Sequence, residues 1–389
     1  MLFLTTRIKR DFLDSCGMIT RGSLRLRTPE GEIYDFGHGQ PEAEMTIHDW
    51  SVVTACAARG DIGLGETYAA GLWDTDSISD LCQVALMNME RLEAYVYGGF
   101  WARLGYRLLN TVMRANSRSG AARNIRKHYD LGNEFYALWL DRGMTYSSAL
   151  FAEGDTDLDR AQARKNARIL DQLGGDSVLE IGCGWGGFAE AAADRGHRVT
   201  GLTLSAAQKG YADARLDGRA EIRLQDYRDA GGRYDNIVSI EMIEAVGQRY
   251  WPAYFATLKD RLAVGGRAVL QVITVPDSYF DIYRQGSDFI RTHIFPGGML
   301  LSPGQIRAQA AKAGLSVVDD YAFGPHYAAT CAAWQGRMAD EATRIARLGL
   351  PEEFLRGWRF YLGSCSAAFL TGQTGVSQVA LAHAGEARA

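Results

Sequence analysis

Apolar and polar positions change period along the chain, and the changes mark its parts. From Gly22 to Phe36 they alternate around Pro29-Glu30-Gly31, which predicts a β-hairpin. Met45–Ala58 and Ser77–Leu92 carry helical spacing, and Gly60–Asp74 between them reads as a glycine-spaced connector with bulky anchors. Residues 1–95 therefore read as a small α+β domain. From Thr156 onward, helical and short apolar segments take turns. A helix from Thr156 to about Leu173 opens on a capping-box-like signal and stops at Gly174-Gly175. Strand Val178–Ile181, a helix from Phe188, strand Arg198–Thr203, helix Ser205–Leu216 and strands Glu221–Leu224 and Asn236–Ile240 follow. Helix Tyr250–Leu262, strand Arg267–Ile273, a helix opened by Ser302-Pro303 and strand Leu315–Asp320 continue the series. The pattern predicts an α/β fold with a doubly wound, Rossmann-like sheet, whose ligands belong at the carboxyl ends of its strands.

The expected domains are 1–95, a linker over 96–127 and the doubly wound domain over 128–389. Within the last, 276–303 is a long insertion rich in Tyr, Phe and Ile, either a binding lid or packing over the sheet. The linker mixes Tyr97, Phe100, Trp101 and Tyr106 with seven basic residues, and from 103 to 127 it has no acid. Such a helix suits an anionic membrane surface, and it equally suits a solvated bridge between domains.

Composition narrows the class. A length of 389 residues fits two domains, and 47% apolar residues support a real core. A net charge of −4 argues against general nucleic-acid binding. The six cysteines (16, 56, 82, 183, 331 and 365) form no C-x-x-C and no close pair with histidine, so reduced thiols in a cytosol and no metal are expected. The N-terminal apolar stretch is too short for a signal peptide. No run approaches the ~18 apolar residues that would suggest a membrane span.

The candidate chemistry starts at Val178-Leu-Glu-Ile-Gly-Cys-Gly-Trp-Gly-Gly-Phe188, where four glycines fall within six residues between a strand and a helix. Glycine lets backbone approach a ligand and adopt positive φ, and the helix start adds free N–H groups. Glu180 sits in the strand two residues before the first glycine. A pyrophosphate does not call for an acid there, but the ammonium and sulfonium of S-adenosylmethionine accommodate one. The spacing also departs from the usual dinucleotide fingerprint, so S-adenosylmethionine is preferred to NAD. At the end of the fourth strand, Glu241 and Glu244 interrupt an apolar run. On a helix, i and i+3 would share a face, two close carboxylates would resist ionising together, and one would be poised as a base. The alternative is an N-cap acid and a salt bridge. Asp226-Tyr227 reads as an adenine contact or a turn, and Tyr146-Ser147-Ser148 as a polar loop. Tyr327 and Cys365 alone read as core.

Taken together, the chain resembles the cyclopropane-fatty-acyl-phospholipid synthases and their relatives, the mycolic acid cyclopropane synthases. The matching stretches are Lys127-His-Tyr-Asp-Leu-Gly-Asn-Glu-Phe-Tyr, Met144-Thr-Tyr-Ser-Ser, Leu179-Glu-Ile-Gly-Cys-Gly-Trp-Gly-Gly-Phe, Gly201-Leu-Thr-Leu-Ser, Gln225-Asp-Tyr-Arg-Asp, Ile294-Phe-Pro-Gly-Gly and His326-Tyr. Leu64-Gly-Glu-Thr-Tyr-Ala-Ala-Gly-Leu-Trp-Asp matches the bacterial enzymes, so the likeness covers nearly the whole chain. The resemblance implies a class I methyltransferase sheet and S-adenosylmethionine-dependent C-methylation of the cis double bond of an unsaturated acyl chain in a phospholipid. It gives a cyclopropane or a methyl-branched or methylene product. It places Tyr146 and Ser147 at the methionine end of the cofactor, Gly182 and Gly184 along its turn, Thr203, Leu204 and Gln208 near the ribose, and Asp226 and Tyr227 around the adenine. Glu244, Tyr327 and Cys365 match acceptor-site residues that hold a bicarbonate ion, the supposed base, in family members.

Three positions depart from that pattern. Ser148 stands where many members have cysteine, Gln271 where they have histidine, and Glu241 where they have a small residue. These changes put bicarbonate in question and suggest the Glu241 carboxylate as its replacement. Peripheral attachment to the inner membrane face is expected from the phospholipid substrate. The role of the N-terminal domain stays open between lipid binding and homodimerisation, and a downstream reductase would be needed to saturate a methylene product. Two other readings remain at this point: a non-catalytic lipid-binding protein on a methyltransferase scaffold, and a small-molecule methyltransferase.

Overall fold

The computed structural model describes residues 2–92 and 132–386. The basic aromatic linker at 96–127, and residues 127–131 of the motif that begins at Lys127, lie outside the described residues. The chain forms two compact units. One comprises Met1–Met113, Ile282–Pro296 and Ala342–Gln373, and the other Arg114–Asp281, Gly297–Glu341 and Thr374–Ala389. The unit at the N-terminus thus takes in two later segments that the sequence reading assigned to the second domain, among them most of the insertion at 276–303.

In the first unit, β1 (Gly22–Arg27), β2 (Ile33–His38), β3 (Glu42–Ile47) and β4 (Trp73–Asp74) form a sheet in the order β2-β1-β3-β4. β1 and β2 make the expected antiparallel hairpin. Met45–Ile47 is strand rather than the start of a helix, because Ala43, Met45 and Ile47 alternate into the core, and the helix begins at Ser51. The stretch from Gly60 is not a connector: Asp61–Ala69 is a helix. Its glycines allow close packing, since a Cβ at Gly63 would lie 2.2 Å from the Ala55 carbonyl oxygen and one at Gly65 2.4 Å from the Phe289 ring. The helix Glu352–Leu370 packs on the helices Asp61–Ala69 and Ile78–Met87, and Asp61 accepts the Phe289 N–H at 2.9 Å. These two contacts draw the later segments into this unit.

The second unit holds β5 (Ser177–Ile181), β6 (Arg198–Thr203), β7 (Glu221–Leu224), β8 (Tyr234–Ile240), β9 (Leu262–Thr274), β10 (Leu315–Ala322) and β11 (Gly375–His383) in one sheet, in the order β10-β11-β9-β8-β5-β6-β7. β5 to β9 run parallel, whereas β11 lies antiparallel between β9 and β10. β11 was not foreseen. The helices begin where local chemistry dictates. Asp157, Ser205 and Ser302 each accept the N–H three residues on, at 3.0–3.3 Å, and Pro303 fills the first helical turn. Val178, Phe188, Val199, Val238, Val269 and Ala380 share one core on the side of the sheet covered by the helix Gly187–Asp194.

Asn236 ties this core to the turn before β5. Its buried side chain accepts the Gly174 N–H at 3.0 Å and donates to the Gly174 and Ser177 carbonyls. Asn236→Ala strands those groups and is expected to cost roughly 2–3 kcal/mol, read as a lowered urea midpoint with unchanged slope; an unchanged midpoint refutes this role.

Candidate active site

The carboxyl ends of β5, β8 and β9 carry the polar groups, as a doubly wound sheet requires. After β5, Gly182, Gly184 and Gly186 all have positive φ. A Cβ at Gly182 would lie 2.9 Å from Met242, whereas one at Gly184 would meet nothing within 4 Å. The turn therefore exposes bare backbone to open space at Gly184, directly before a helix N-terminus. Behind it, Glu180 is buried, and its Oε2 has no partner among the described residues. Burial pushes its carboxyl up to about 8, against the pull of Lys165. An orphaned buried acid beside an open glycine turn fits a ligand with a cationic end.

The loop at 141–148 is shaped by Asp141, whose carboxylate accepts the N–H groups of Gly143 and Thr145 at 2.8 and 2.7 Å. Met144, with φ 54°, turns the chain. Tyr146 is thereby set in an aromatic cage, its ring centroid 5.8 Å from Tyr136, 5.5 Å from Trp139 and 5.4 Å from Trp334. Ser147 accepts from Lys165 Nζ at 3.3 Å. After β6, the Thr203 hydroxyl donates to Gln208 Oε1 at 2.9 Å, with Leu204 between β6 and the next helix. Asp226 caps a short 3-10 turn, as the turn reading anticipated, and accepts from Arg228 Nε at 2.8 Å. The Tyr227 ring lies edge-on to Tyr254, 5.4 Å away.

Beyond β8 the two acids do not share a helix face. Glu241 stands in the left-handed region with φ 49°, and Glu244 follows in a 3-10 turn. A non-glycine residue at such a φ is strained, a common mark of functional positions. Glu241 Oε1 accepts the Ser148 N–H at 2.9 Å and the Gln271 amide at 2.8 Å, and Oε2 accepts the Tyr327 hydroxyl at 2.6 Å. Burial raises its pKa, while those three donors and the Lys165 charge pull it down. Glu244 accepts the Ile273 N–H at 2.6 Å, and its Oε2 has no partner among the described residues. Burial, then the Glu241 charge, pushes its carboxyl up to about 8. The two acids are thus unequal, and Glu241 is the one built to ionise first. Ser148, Gln271, Tyr327 and Glu241 converge. Cys365 lies on the helix Glu352–Leu370.

Sequence reasoning missed Lys165, which is fully buried and drawn down to about 8 by burial, opposed by Glu241, Asp141 and Glu180. The signal was present: Leu158, Ala161, Lys165 and Ile169 follow one helical face. Arg168 and Gln378 were also missed. Among the described residues no group of three or more His, Cys, Asp or Glu side chains is placed to hold a metal ion, and no helix is long and apolar enough to cross a membrane.

Residues 116–379 match the family described as mycolic acid cyclopropane synthetase. The chain belongs to that family. The tuberculostearic acid methyltransferase UfaA1 of Mycobacterium tuberculosis is 39% identical over 367 residues, 90% of this chain and 86% of that one. The cyclopropane-fatty-acyl-phospholipid synthase of Escherichia coli is 32% identical over 338 residues, 85% of this chain and 86% of that one. Among solved structures, the cyclopropane synthase MmaA2 from M. tuberculosis aligns with a TM-score of 0.63 at 29% identity, over 67% of this chain and 98% of that chain. The mycolic acid cyclopropane synthase CmaA1, complexed with SAH and CTAB, aligns at 0.62 and 30% identity, over 67% and 97%. S-adenosylmethionine is the cofactor of this family, and the glycine turn with Glu180 suits it. The protein is an S-adenosylmethionine-dependent methyltransferase acting on lipid chains, and the class I sheet expected from the resemblance is present. The non-catalytic reading is thereby set aside.

The raised acids carry a stability signature. The folded chain binds the Glu180 and Glu244 protons more tightly than the unfolded chain, whose carboxyls titrate near ~4.3. Their contribution is complete below that pH and is lost as pH rises toward about 8. Lys165, drawn down to about 8, acts in the opposite sense only above that pH. The melting temperature of the cofactor-free protein is expected to fall from about pH 5 to about pH 8, with Glu244→Gln and Glu180→Gln each flattening part of the fall. If both variants keep the full slope, the raised pKa values are refuted.

Proposed function

We propose that this enzyme methylates the cis double bond of an unsaturated acyl chain in a phospholipid, and that Glu241 is the base that completes the reaction. The observation that carries the reading is the Glu241 carboxylate itself, buried and gripped by the Ser148 N–H, the Gln271 amide and the Tyr327 hydroxyl. In the family resemblance, a bicarbonate ion is held where cysteine and histidine stand in place of Ser148 and Gln271. Here a side-chain carboxylate takes the donors. Glu244, pushed up to about 8, keeps its proton near neutral pH and is the weaker candidate.

The cofactor would lie over the glycine turn, its ammonium toward Glu180, its methionine end toward Tyr146 and Ser147, and Gly182 and Gly184 beneath it. Thr203, Leu204 and Gln208 would meet the ribose, and Asp226 and Tyr227 the adenine. When bound, S-adenosylmethionine supplies an electrophilic methyl group, whose transfer to an olefin leaves positive charge on the acyl chain. Water would quench that charge, so the site must stay dry. The rings of Tyr327 and Trp334, centroids 6.1 Å apart, offer faces worth roughly 0.5–2 kcal/mol each to a cation. Glu241 then removes a proton. The C–H bond breaks, its electron pair neutralises the cation, and the proton goes to the carboxylate. Two N–H donors occupy Oε1, so the proton is received at Oε2, where the Tyr327 hydroxyl can turn from donor to acceptor.

Loss of a proton directly from the transferred methyl closes a cyclopropane, and loss from a neighbouring chain carbon leaves a methyl-branched alkene; if a hydride first shifts from the methyl-bearing carbon to the cation, loss from the methyl leaves a methylene group instead. An alkene product is favoured here, because the 39% identical relative is named a tuberculostearic acid methyltransferase rather than a cyclopropane synthase. A separate reductase would then saturate the methylene product. A phospholipid substrate implies work at a membrane surface on the cytoplasmic side. A paired state of two copies is compatible with this reading and not required by it.

In lipids from cells making the enzyme, mass spectrometry should show the methylated acyl chain, and proton NMR a vinylic methylene or a branch methyl rather than a shielded ring methylene. Glu241→Gln is expected to lower kcat about 10²–10⁴-fold with cofactor affinity little changed. Activity that survives in Glu241→Gln and depends on added bicarbonate would end the proposal for Glu241.

A further inference from the structure

Outside the residues already given roles, one hydrogen-bonded chain leads away from Glu241. Gln271 on β9 donates from Nε2 to Glu241 Oε1 at 2.8 Å and to the Ser148 carbonyl at 3.2 Å. Its Oε1 accepts from Gln378 Nε2 at 3.1 Å, and that same nitrogen donates to the Lys165 carbonyl at 3.3 Å. Gln378 Oε1 accepts from Arg168 Nη1 at 3.0 Å. Arg168 donates to Asp319 at 2.7 Å through Nη2, and its guanidinium lies 4.1 Å from the centre of the Tyr321 ring. Both glutamines are fully buried, and Arg168 is partly exposed.

Strand register builds the row. Gln271 lies directly opposite Gln378, and Gln378 directly opposite Tyr321, so the three side chains line one face across β9, β11 and β10. The helix Leu158–Leu170 covers that row and supplies Arg168 at one end and Lys165 near the other.

An amide has a donor end and an acceptor end, and in isolation either could face Glu241. Here the Ser148 and Lys165 carbonyls, which only accept, favour one sense, and the outer end reinforces it. A guanidinium has donors only, so Gln378 must turn its oxygen to Arg168 and its nitrogen inward. Gln271 must then turn its oxygen to Gln378 and its nitrogen to Glu241. The carbonyls of Lys165 and Ser148 accept along the way and agree with this polarity. We propose that Arg168 and Gln378 are positioning residues for Glu241: they act through Gln271, whose amide they lock with its N–H toward the carboxylate, so that Oε1 is always offered a donor. The proposal deepens the reading of Glu241 as base and rests on it.

The lock matters because other charges bear on the same carboxyl. Lys165 from the covering helix and the Tyr327 hydroxyl favour its ionised form, and Glu244 from the following turn opposes it. Asp141 and Glu180 draw on the same lysine. A reversed Gln271 would set its oxygen against Glu241 and against the Ser148 carbonyl, turning an attraction into a repulsion.

Gln378→Glu is the sharpest test. The new carboxylate still accepts from Arg168 but has no donor for Gln271, which must reverse. Arg168→Met removes the outer donor, and Arg168→Lys keeps one. Infrared difference spectra of the cofactor-free protein against pH, with Glu241→Gln marking the band, read the Glu241 titration without any need for turnover. The expected result is a midpoint raised by about one pH unit in Gln378→Glu, less in Arg168→Met, and near wild type in Arg168→Lys. The acid limb of the kcat profile should move with it, while cofactor affinity stays within about twofold. If folded Gln378→Glu and Arg168→Met both titrate Glu241 as the wild type does, the lock is refuted even where Glu241→Gln has lost activity. If the midpoints move as expected while Glu241→Gln remains active, the lock stands and only the role of Glu241 as base falls.

Discussion

The site is governed by the cost of burying charge. Glu180, Glu241, Glu244 and Lys165 are all enclosed at the carboxyl end of one sheet. An ion without partners in such a place is unfavourable by several kcal/mol. The chain meets the cost differently at each. Glu241 receives three hydrogen bonds and the neighbourhood of Lys165. Glu244 and Glu180 hold their protons until pH reaches about 8. The division of labour between the two acids after β8 follows from these unequal surroundings rather than from sequence spacing.

The backbone is arranged to serve the same balance. A residue after β8 in ordinary strand geometry would continue the strand's alternation. The left-handed turn at Glu241 ends it, while its N–H still bonds to the Gln271 carbonyl at 2.8 Å. That one bond keeps the two residues in register, so the Glu241 carboxylate and the Gln271 amide meet. The loop held by Asp141 brings the Ser148 N–H in from another direction, and the helix Gly324–Asp340 brings Tyr327. The strain at Glu241 persists because these separate elements over-determine its position.

Much of this architecture is legible from the chain. The alternation after Thr156, the capping serines and the glycine turn give most of the parallel strands and helices within one or two residues, because each depends on local periodicity and local hydrogen bonds; β9 begins five residues before the expected Arg267. What fails to show is set by distant packing. Asp61–Ala69 places two glycines inside a nine-residue helix, yet it forms because those glycines admit Ala55 and Phe289. β11 is interrupted by Ser377 and Gln378, polar residues that only a neighbouring amide and a covering arginine can satisfy. Lys165 reads as a solvent-facing charge unless its place on the apolar face is given weight. The unequal acids could be suspected from Glu241 and Glu244 in an apolar run, but the helix face invoked for them does not exist, and which one ionises first depends on hydrogen-bond donors contributed by three other segments.

A side-chain base differs from a captured ion in more than identity. An ion must be bound, must be present in the medium, and can leave with its proton. A carboxylate on the chain carries no association cost, but it must return its proton to solvent from a closed site. Under the proposed reading the two oxygens of Glu241 divide that work. Oε1, facing N–H donors, is fixed. Oε2, facing a hydroxyl able both to donate and to accept, is the only oxygen that can take a proton without displacing a donor that cannot turn. Fixing one oxygen also fixes the direction from which the other approaches the acyl chain. The base then reaches only the hydrogens on its own side of the cation, so the geometry that replaces the ion is also the geometry that selects the product.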